Sequence, residues 1–188
     1  MTPYRSCNEL GFIKYDRNLN KILIIGEIPM TTAIGLCATS SEKLAKELNN
    51  LLANYQVFYT NVRGYHWNIK GVNFFELHAK FEEIYNDLVV KVDEIAERIL
   101  TLGHTPNNAY SQYLSVSTIK EDIGVSTAKE CLKGTLEGFK ILLKQQREIL
   151  VLAGDADDEG TASQMSDYIK EQEKLIWMFT AACESCNA

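Results

Sequence analysis

Proline and glycine are scarce in this chain, which has 3 prolines and 11 glycines among 188 residues. Because these two residue types interrupt helices most often, their scarcity favours long uninterrupted helices. Apolar residues make up 46% of the chain, which is enough for a substantial core. No repetitive tract is present, so we expect one globular domain rather than an array of repeats.

Long apolar runs are also lacking. The run at residues 22–25 is too short to cross a bilayer, and the N-terminus has no charged segment followed by a long apolar stretch and a cleavage site. We therefore expect no membrane association and a cytoplasmic location.

Positive charge is in the minority, and the net charge of -6 argues against a generally basic nucleic-acid-binding surface. An acidic surface suits cations better.

The cysteines do not form the pattern of a secreted disulfide framework, because there are 5 of them at irregular spacing. Cys183 and Cys186 make a CxxC motif close to the C-terminus, but no second pair completes a zinc site. We expect residues 183–188 to be a disordered, reduced tail.

Residues 1–38 differ from the rest of the chain, because turn-forming residues surround one short β-like run, KILIIGEI, and no helical period is visible. We expect a poorly defined N-terminal extension. Met30 offers a second plausible start, in which case residues 1–29 would be an upstream extension.

The first two helices are indicated by apolar positions that recur every three or four residues. Thr39-x-x-Glu42 is a capping-box pattern at the start of the first helix, which is predicted to end within residues 67–71. Asn73 can cap the second helix, whose apolar stripe is regular up to Gly103.

A long connection follows, because residues 102–125 contain a proline and several asparagines and serines. A short helix is expected within it, around residues 110–114. Ser126 is predicted to begin a third helix that ends at Gly154, and a connection of this length crosses a bundle.

The fourth helix follows the acidic loop DADDEG, and its apolar spacing places Trp177 and Met178 at core positions. Four amphipathic helices with one long middle crossover predict an all-α, ferritin-like four-helix bundle over residues 39–182.

Helix two has a second face that mixes polar and apolar side chains. At about 100° per residue, these positions span an arc of roughly 100°. They are His78, Glu82, Tyr85, Val89, Asp93, Ala96, Glu97 and Leu100. A solvated face would not carry the apolar members, so we expect this face to be buried against another chain. Imidazole and carboxylate are ligands that suit iron, and also zinc or manganese.

The spacing of these polar residues decides how they can be used. His78 and Glu82 lie one turn apart, as do Asp93 and Glu97, but the two pairs are separated by roughly 16 Å along the helix. No histidine follows a glutamate at the ExxH spacing of a di-iron site within one bundle. A two-fold dimer with antiparallel second helices would join the pairs. Alternatively, His78 is a satisfied interface histidine and the acids are an exposed ladder. The position of His66 beside the start of helix two favours the metal site.

Residues 65–99, YHWNIKGVNFFELHAKFEEIYNDLVVKVDEIAERI, resemble the signature of the Dps family, the DNA-binding proteins from starved cells or mini-ferritins. The resemblance extends over roughly residues 40–182. It implies a dodecameric shell built from two-fold dimers, in which a ferroxidase centre oxidises Fe(II) with hydrogen peroxide or dioxygen and stores the ferric mineral.

The resemblance also implies the site residues. Two irons would bind at each interfacial site, and Trp67 would be its aromatic neighbour, shielding it from water. The ligands would be His66, His78 and Glu82 of one subunit with Asp93 and Glu97 of its mate. Glu82 stands where many members have aspartate, which keeps the carboxylate but lengthens its reach.

Two further features have competing interpretations. Asp155, Asp157 and Asp158 could line an iron-entry pore, or could form a solvated acidic turn. DNA is a weak candidate partner, because the first 40 residues lack the lysine-rich arm of DNA-binding members. The alternatives for the whole protein are a nucleoid-compacting DNA binder with secondary iron chemistry, and a structural helical dimer without metal.

Overall fold

The computed structural model describes residues 12–16, 21–25 and 31–183. In this part of the chain, two short strands precede five helices. The elements are β1 (Phe12–Asp16), β2 (Lys21–Ile25), α1 (Ala38–Asn68), α2 (Phe74–Thr101), α3 (Tyr110–Val116), α4 (Ala128–Asp155) and α5 (Glu159–Ala182). The remainder of the predicted N-terminal extension, including Met30, and residues 184–188 of the predicted tail lie outside the described residues.

The strands form an antiparallel hairpin in which Phe12 pairs with Ile25. The β-like character of the run KILIIGEI is therefore confirmed for the part that forms β2.

The helix starts depend on local caps, and two of the predicted starts are wrong. The structure begins α1 at Ala38 with Cys37 as N-cap, so Thr39 lies inside the helix and forms no capping box. α4 begins at Ala128 rather than at Ser126, and its N-cap is Thr127, whose hydroxyl accepts a hydrogen bond from the Glu130 backbone N–H at 3.3 Å. Asn73 does occupy the N-cap position of α2, although its side chain makes no capping hydrogen bond.

The segment between α2 and α4 runs along α1 from Asn49 to the C-terminal end of the helix, and asparagine side chains hold it there. Asn49 donates to the Thr105 carbonyl at 3.3 Å, and Asn61 donates to the Lys120 carbonyl at 2.8 Å. At the far end, the Lys70 backbone N–H donates to the Ser126 carbonyl at 3.0 Å. The predicted long crossover is confirmed, and the short helix within it is α3.

This crossover determines the helix directions. Since it ends beside the C-terminal end of α1, α4 starts there and runs antiparallel to α1, as α2 does, while α5 returns parallel to α1. The principal helix pairs are α1 with α2, α4 with α5, and α1 with α4. The arrangement is the ferritin-like four-helix bundle expected from the pattern.

A small polar network lies in the core between the helices. Tyr55, Gln146 and Gln172 are each fully buried. The Tyr55 hydroxyl accepts from the Gln146 amide at 2.8 Å and from the Gln172 amide at 2.6 Å. Tyr55 lies on α1, Gln146 on α4 and Gln172 on α5, so this phenol links three of the four long helices. The contacts matter because a buried amide without an acceptor is costly.

Two predictions about the end of α5 are wrong. Trp177 is 67% exposed and Met178 is 40% exposed, so neither side chain packs in the core of this chain. Cys183 is buried and disulfide-bonded rather than reduced. Cys37 is also disulfide-bonded. None of the helices in the described residues is both long and apolar enough to span a membrane.

Candidate metal site

The turn between α1 and α2 brings two histidines together. Gly71 adopts a φ of 110°, which favours glycine, and lets the chain reverse so that His66 and His78 meet across the helix pair. Their rings stack with centroids 3.8 Å apart at an interplanar angle of 21°. His66 is 8% exposed and His78 is half-buried.

Each imidazole is oriented by the backbone of the other residue. His66 Nδ1 lies 2.8 Å from the carbonyl oxygen of His78, and His78 Nδ1 lies 2.8 Å from the carbonyl oxygen of His66. A carbonyl only accepts hydrogen bonds, so each Nδ1 carries the proton. In the neutral rings the Nε2 lone pairs are then available to a metal, which is the usual arrangement for histidine ligands.

The predicted carboxylate ligands lie on the mixed face of α2. Glu82, Asp93 and Glu97 are all exposed, and they share this face with Val89, which is 45% exposed, and Leu100, which is 58% exposed. The described residues of one chain contain no cluster of three or more histidines, cysteines or acids able to hold a metal. The structure therefore brings the two histidines together and leaves Asp93 and Glu97 apart from them.

An aromatic group beside the histidines includes residues that the sequence did not single out as site residues. The Tyr85 ring meets His66 edge-on with centroids 5.3 Å apart. Arg63 lies between two rings, with its guanidinium carbon 4.9 Å from the centroid of Tyr59 and 4.8 Å from that of Trp67. The sequence did contain two signals for these residues. Tyr85 lies on the mixed face of α2, and Arg63 lies one turn before His66.

Trp67 does not cover the imidazoles within one chain, because it is 64% exposed and stacks on Arg63. Shielding of the site by this ring stays a prediction for the assembled protein.

The three candidate pore residues lie in different environments. Asp158 is 2% exposed, accepts a hydrogen bond from Arg98 at 2.5 Å and caps α5 by accepting from the Thr161 backbone N–H at 3.0 Å. Because its carboxylate makes these buried contacts, Asp158 does not face solvent as a pore residue would. Asp155 and Asp157 are exposed, so the pore prediction now rests on them.

The ferritin-like domain family matches residues 45–188. A curated Porphyromonas gingivalis protein named "DNA protection during starvation protein" is 44% identical over 78% of this chain and 92% of its own length. A Haemophilus influenzae protein is 75% identical over 83% of this chain and 98% of its own length.

Among solved structures, the Dps protein of Vibrio cholerae matches with a TM-score of 0.79 and 61% identity, over 80% of this chain and 95% of that chain. It is described as a member of a broad superfamily of ferritin-like diiron-carboxylate proteins. With the family match, the similar sequences and the structural match, the chain belongs to the Dps family of ferritin-like proteins.

Proposed function

We propose that this protein oxidises and stores iron, at sites shared between two copies of the chain. The observation that carries the proposal is the reciprocally oriented histidine pair, which presents two Nε2 atoms beside the uncovered mixed face of α2. Imidazole and carboxylate together suit iron, and the diiron-carboxylate superfamily of the Vibrio cholerae relative supports the same metal.

The site is completed by a second copy whose α2 packs antiparallel on the first. A single antiparallel register places His78 opposite Glu97 and also places Glu82 opposite Asp93. In that register the two-fold axis crosses α2 between Asp87 and Leu88. A two-fold interface is self-complementary, so each dimer would hold two equivalent sites.

The apolar members of the face support this packing. Val89 lies close to the proposed axis and Leu100 close to the end of the helix, and their exposure in one chain gives the second copy apolar area to bury. Burial would exclude water from the site and strengthen its electrostatic interactions.

The chemistry follows from the ligand set. Two Fe(II) ions bound at one site would each give up one electron, and hydrogen peroxide with two protons would become two water molecules. Carboxylates favour the harder Fe(III) product, and imidazoles help to retain Fe(II) before oxidation. Paired electron delivery releases no hydroxyl radical, so the reaction would protect the cell against oxidative damage. Dioxygen is the alternative oxidant.

The Fe(III) product would mineralise inside a dodecameric shell in the cytoplasm, with Asp155 and Asp157 as candidates for the entry path. DNA binding is outside this proposal, because the chain has a net charge of -6 and contacts to phosphate need clustered lysine or arginine.

The experiment mixes two defective half-sites. One variant combines His66→Ala with His78→Ala, and the other combines Asp93→Ala with Glu97→Ala. Each variant alone should lose peroxide-driven iron oxidation. After co-expression with random pairing, half of the dimers are mixed and each mixed dimer has one intact site, so about a quarter of the native rate should return.

The matched control is His104→Ala, which removes the third histidine, in the loop after α2, and should oxidise iron at the native rate. A site contained in one chain would give no recovery in the mixture. Native rates in both double variants, with assembly intact, would overturn the proposal.

A further inference from the structure

Phe75 is a large apolar side chain that the single chain leaves in solvent, near the start of α2. It is 81% exposed, although its neighbour Phe74 packs against the core. The two rings meet edge-on, with centroids 5.3 Å apart at an interplanar angle of 79°. Edge-on contacts restrict the orientation of both rings. The Phe75 ring is therefore held in a defined orientation at the surface rather than buried in its own bundle.

Phe75 points in the same direction as the mixed face of α2. It lies about five helical turns before Asp93, at about 3.6 residues per turn, so the two side chains leave the helix on the same side. Leu100 lies about two turns after Asp93 on that side and is 58% exposed. The mixed face thus begins and ends with a large, exposed apolar side chain.

The register proposed for the iron site brings these two side chains together across the interface. Phe75 lies three residues before His78. Leu100 lies three residues after Glu97. When antiparallel helices place that histidine opposite that glutamate, Phe75 comes to the height of the partner's Leu100. Two-fold symmetry repeats the contact at the other end of the interface.

This position gives the contact two effects on the proposed site. At about 1.5 Å per residue, it lies about 19 Å from the two-fold axis, and a contact so far from the axis resists sliding and rotation of one helix on the other. It also lies about one turn beyond His78, where two apolar side chains would exclude water from the outer end of the site. Removal of both side chains from water on association favours the dimer.

We propose that Phe75 packs on Leu100 of the partner subunit, and that this contact fixes the register of the two α2 helices and closes the outer end of the iron site. The inference rests on the proposed function for its register. It extends that function by assigning the exposed ends of the mixed face to a second copy of this chain.

The first test combines Phe75→Cys with Leu100→Cys and treats the assembled protein with a short bismaleimide. Within one chain these positions are about 38 Å apart along α2, beyond the reach of the reagent, so a link between them joins two copies. We expect linked dimers on denaturing gels, and mass spectrometry of the linked peptides should identify positions 75 and 100. Phe75→Cys with Val151→Cys is the matched control, because Val151 is exposed on α4, and should give no link between its two positions.

The second test replaces the apolar pair by a charged pair. Phe75→Lys and Leu100→Glu should each weaken the dimer at least about tenfold, because each leaves an unpaired charge at an apolar contact. The combined variant should regain about tenfold, since each lysine then lies opposite a glutamate. Phe75→Lys with Val151→Glu carries the same charges and should show no recovery. Analytical ultracentrifugation measures the dimer, iron oxidation should follow the same order, and circular dichroism establishes that each variant is folded.

The outcomes separate this contact from the proposed function. If no link joins positions 75 and 100 and the combined charge variant shows no recovery, the contact is overturned, even where the mixed half-sites recover iron oxidation. If Phe75→Lys assembles and oxidises iron like the native protein, the contact is likewise overturned. A link between positions 75 and 100 without recovery from the mixed half-sites supports the contact and overturns the shared iron site.

Discussion

A histidine can serve as a metal ligand only through a ring nitrogen that no hydrogen bond already occupies. The sequence singled out His78 from its spacing on helix two and His66 from its position beside the start of that helix. It could not predict which nitrogen is free, because each Nδ1 bonds to the carbonyl of a residue that the turn at Gly71 brings close. The same limit applies to Asp158, for which the acidic loop left a pore residue and a solvated turn as alternatives. Its contact with Arg98 depends on tertiary structure.

At the same scale, Tyr55 gives a prediction about stability. Its hydroxyl is the acceptor for two buried amides, those of Gln146 and Gln172. Tyr55→Phe should lower the free energy of unfolding by about 1–3 kcal/mol, because both N–H groups lose this acceptor without gaining water. Denaturant unfolding at matched protein concentration measures the change.

Tyr110→Phe is the matched control for that change, because the Tyr110 ring is 73% exposed and its hydroxyl can bond to water after folding. We expect an effect within about 0.5 kcal/mol. Equal effects of the two substitutions would contradict the role assigned to the buried network.

At the scale of the element, α2 was predictable because it is long and has two regular stripes. Its core stripe is buried, including Phe81, Leu88 and Ile95, and its mixed stripe is not covered in one chain. The error in α5 has a geometric reason. Ile176 and Phe179 face the bundle, and at about 100° per residue Trp177 and Met178 then point away from it.

Helix ends were less predictable than helix faces. Thr39 and Glu42 have the spacing of a capping box, but whether a residue caps a helix depends on its backbone angles, and Cys37 takes the N-cap position instead. At α4, either Ser126 or Thr127 could have capped the helix on sequence grounds, since both residue types are good N-caps.

The mixed stripe of α2 gives a prediction about pairing. Val89→Asp would place two introduced carboxylates near each other at the proposed two-fold axis, and like charges across an interface cost several kcal/mol. We expect the dimer to weaken and iron oxidation per subunit to fall at least about tenfold, since tenfold corresponds to about 1.4 kcal/mol. Analytical ultracentrifugation and peroxide-driven iron oxidation measure the two effects.

Helical content should persist in Val89→Asp, because this side chain lies outside the core of the single chain. Val151→Asp is the matched control: Val151 is 64% exposed on α4, away from the mixed stripe, and its replacement should leave α2 pairing and iron oxidation intact. A native dimer in Val89→Asp would contradict antiparallel packing of α2.

At the scale of the whole molecule, buried tyrosine hydroxyls and a buried cysteine thiol should limit stability at alkaline pH. Burial raises the pKa values of Tyr55, Tyr65 and Tyr168 well above the ordinary tyrosine value. Burial, with the nearby Asp122 and Glu130 carboxylates, raises the pKa of the Cys131 thiol to about 11. Each group therefore keeps its proton in the folded chain at a pH where the unfolded chain has lost it.

The sign of the effect follows from proton linkage. From about pH 9 for the thiol and about pH 10 for the phenols, the unfolded state binds fewer protons than the folded state, so the free energy of unfolding falls as pH rises. Each fully shifted group contributes up to about 1.4 kcal/mol per pH unit. The stability contributed by these groups is complete below their unfolded pKa values and decreases as pH rises toward the folded ones.

Denaturant midpoints measured from about pH 8 to about pH 11 should therefore decline on the alkaline side, together with the appearance of phenolate absorbance as the chain unfolds. Tyr55→Phe should start from a lower stability but decline less steeply, because one of the shifted groups is gone. Midpoints that stay constant up to about pH 11, or an unchanged slope in Tyr55→Phe, would show that these buried groups do not control alkaline stability.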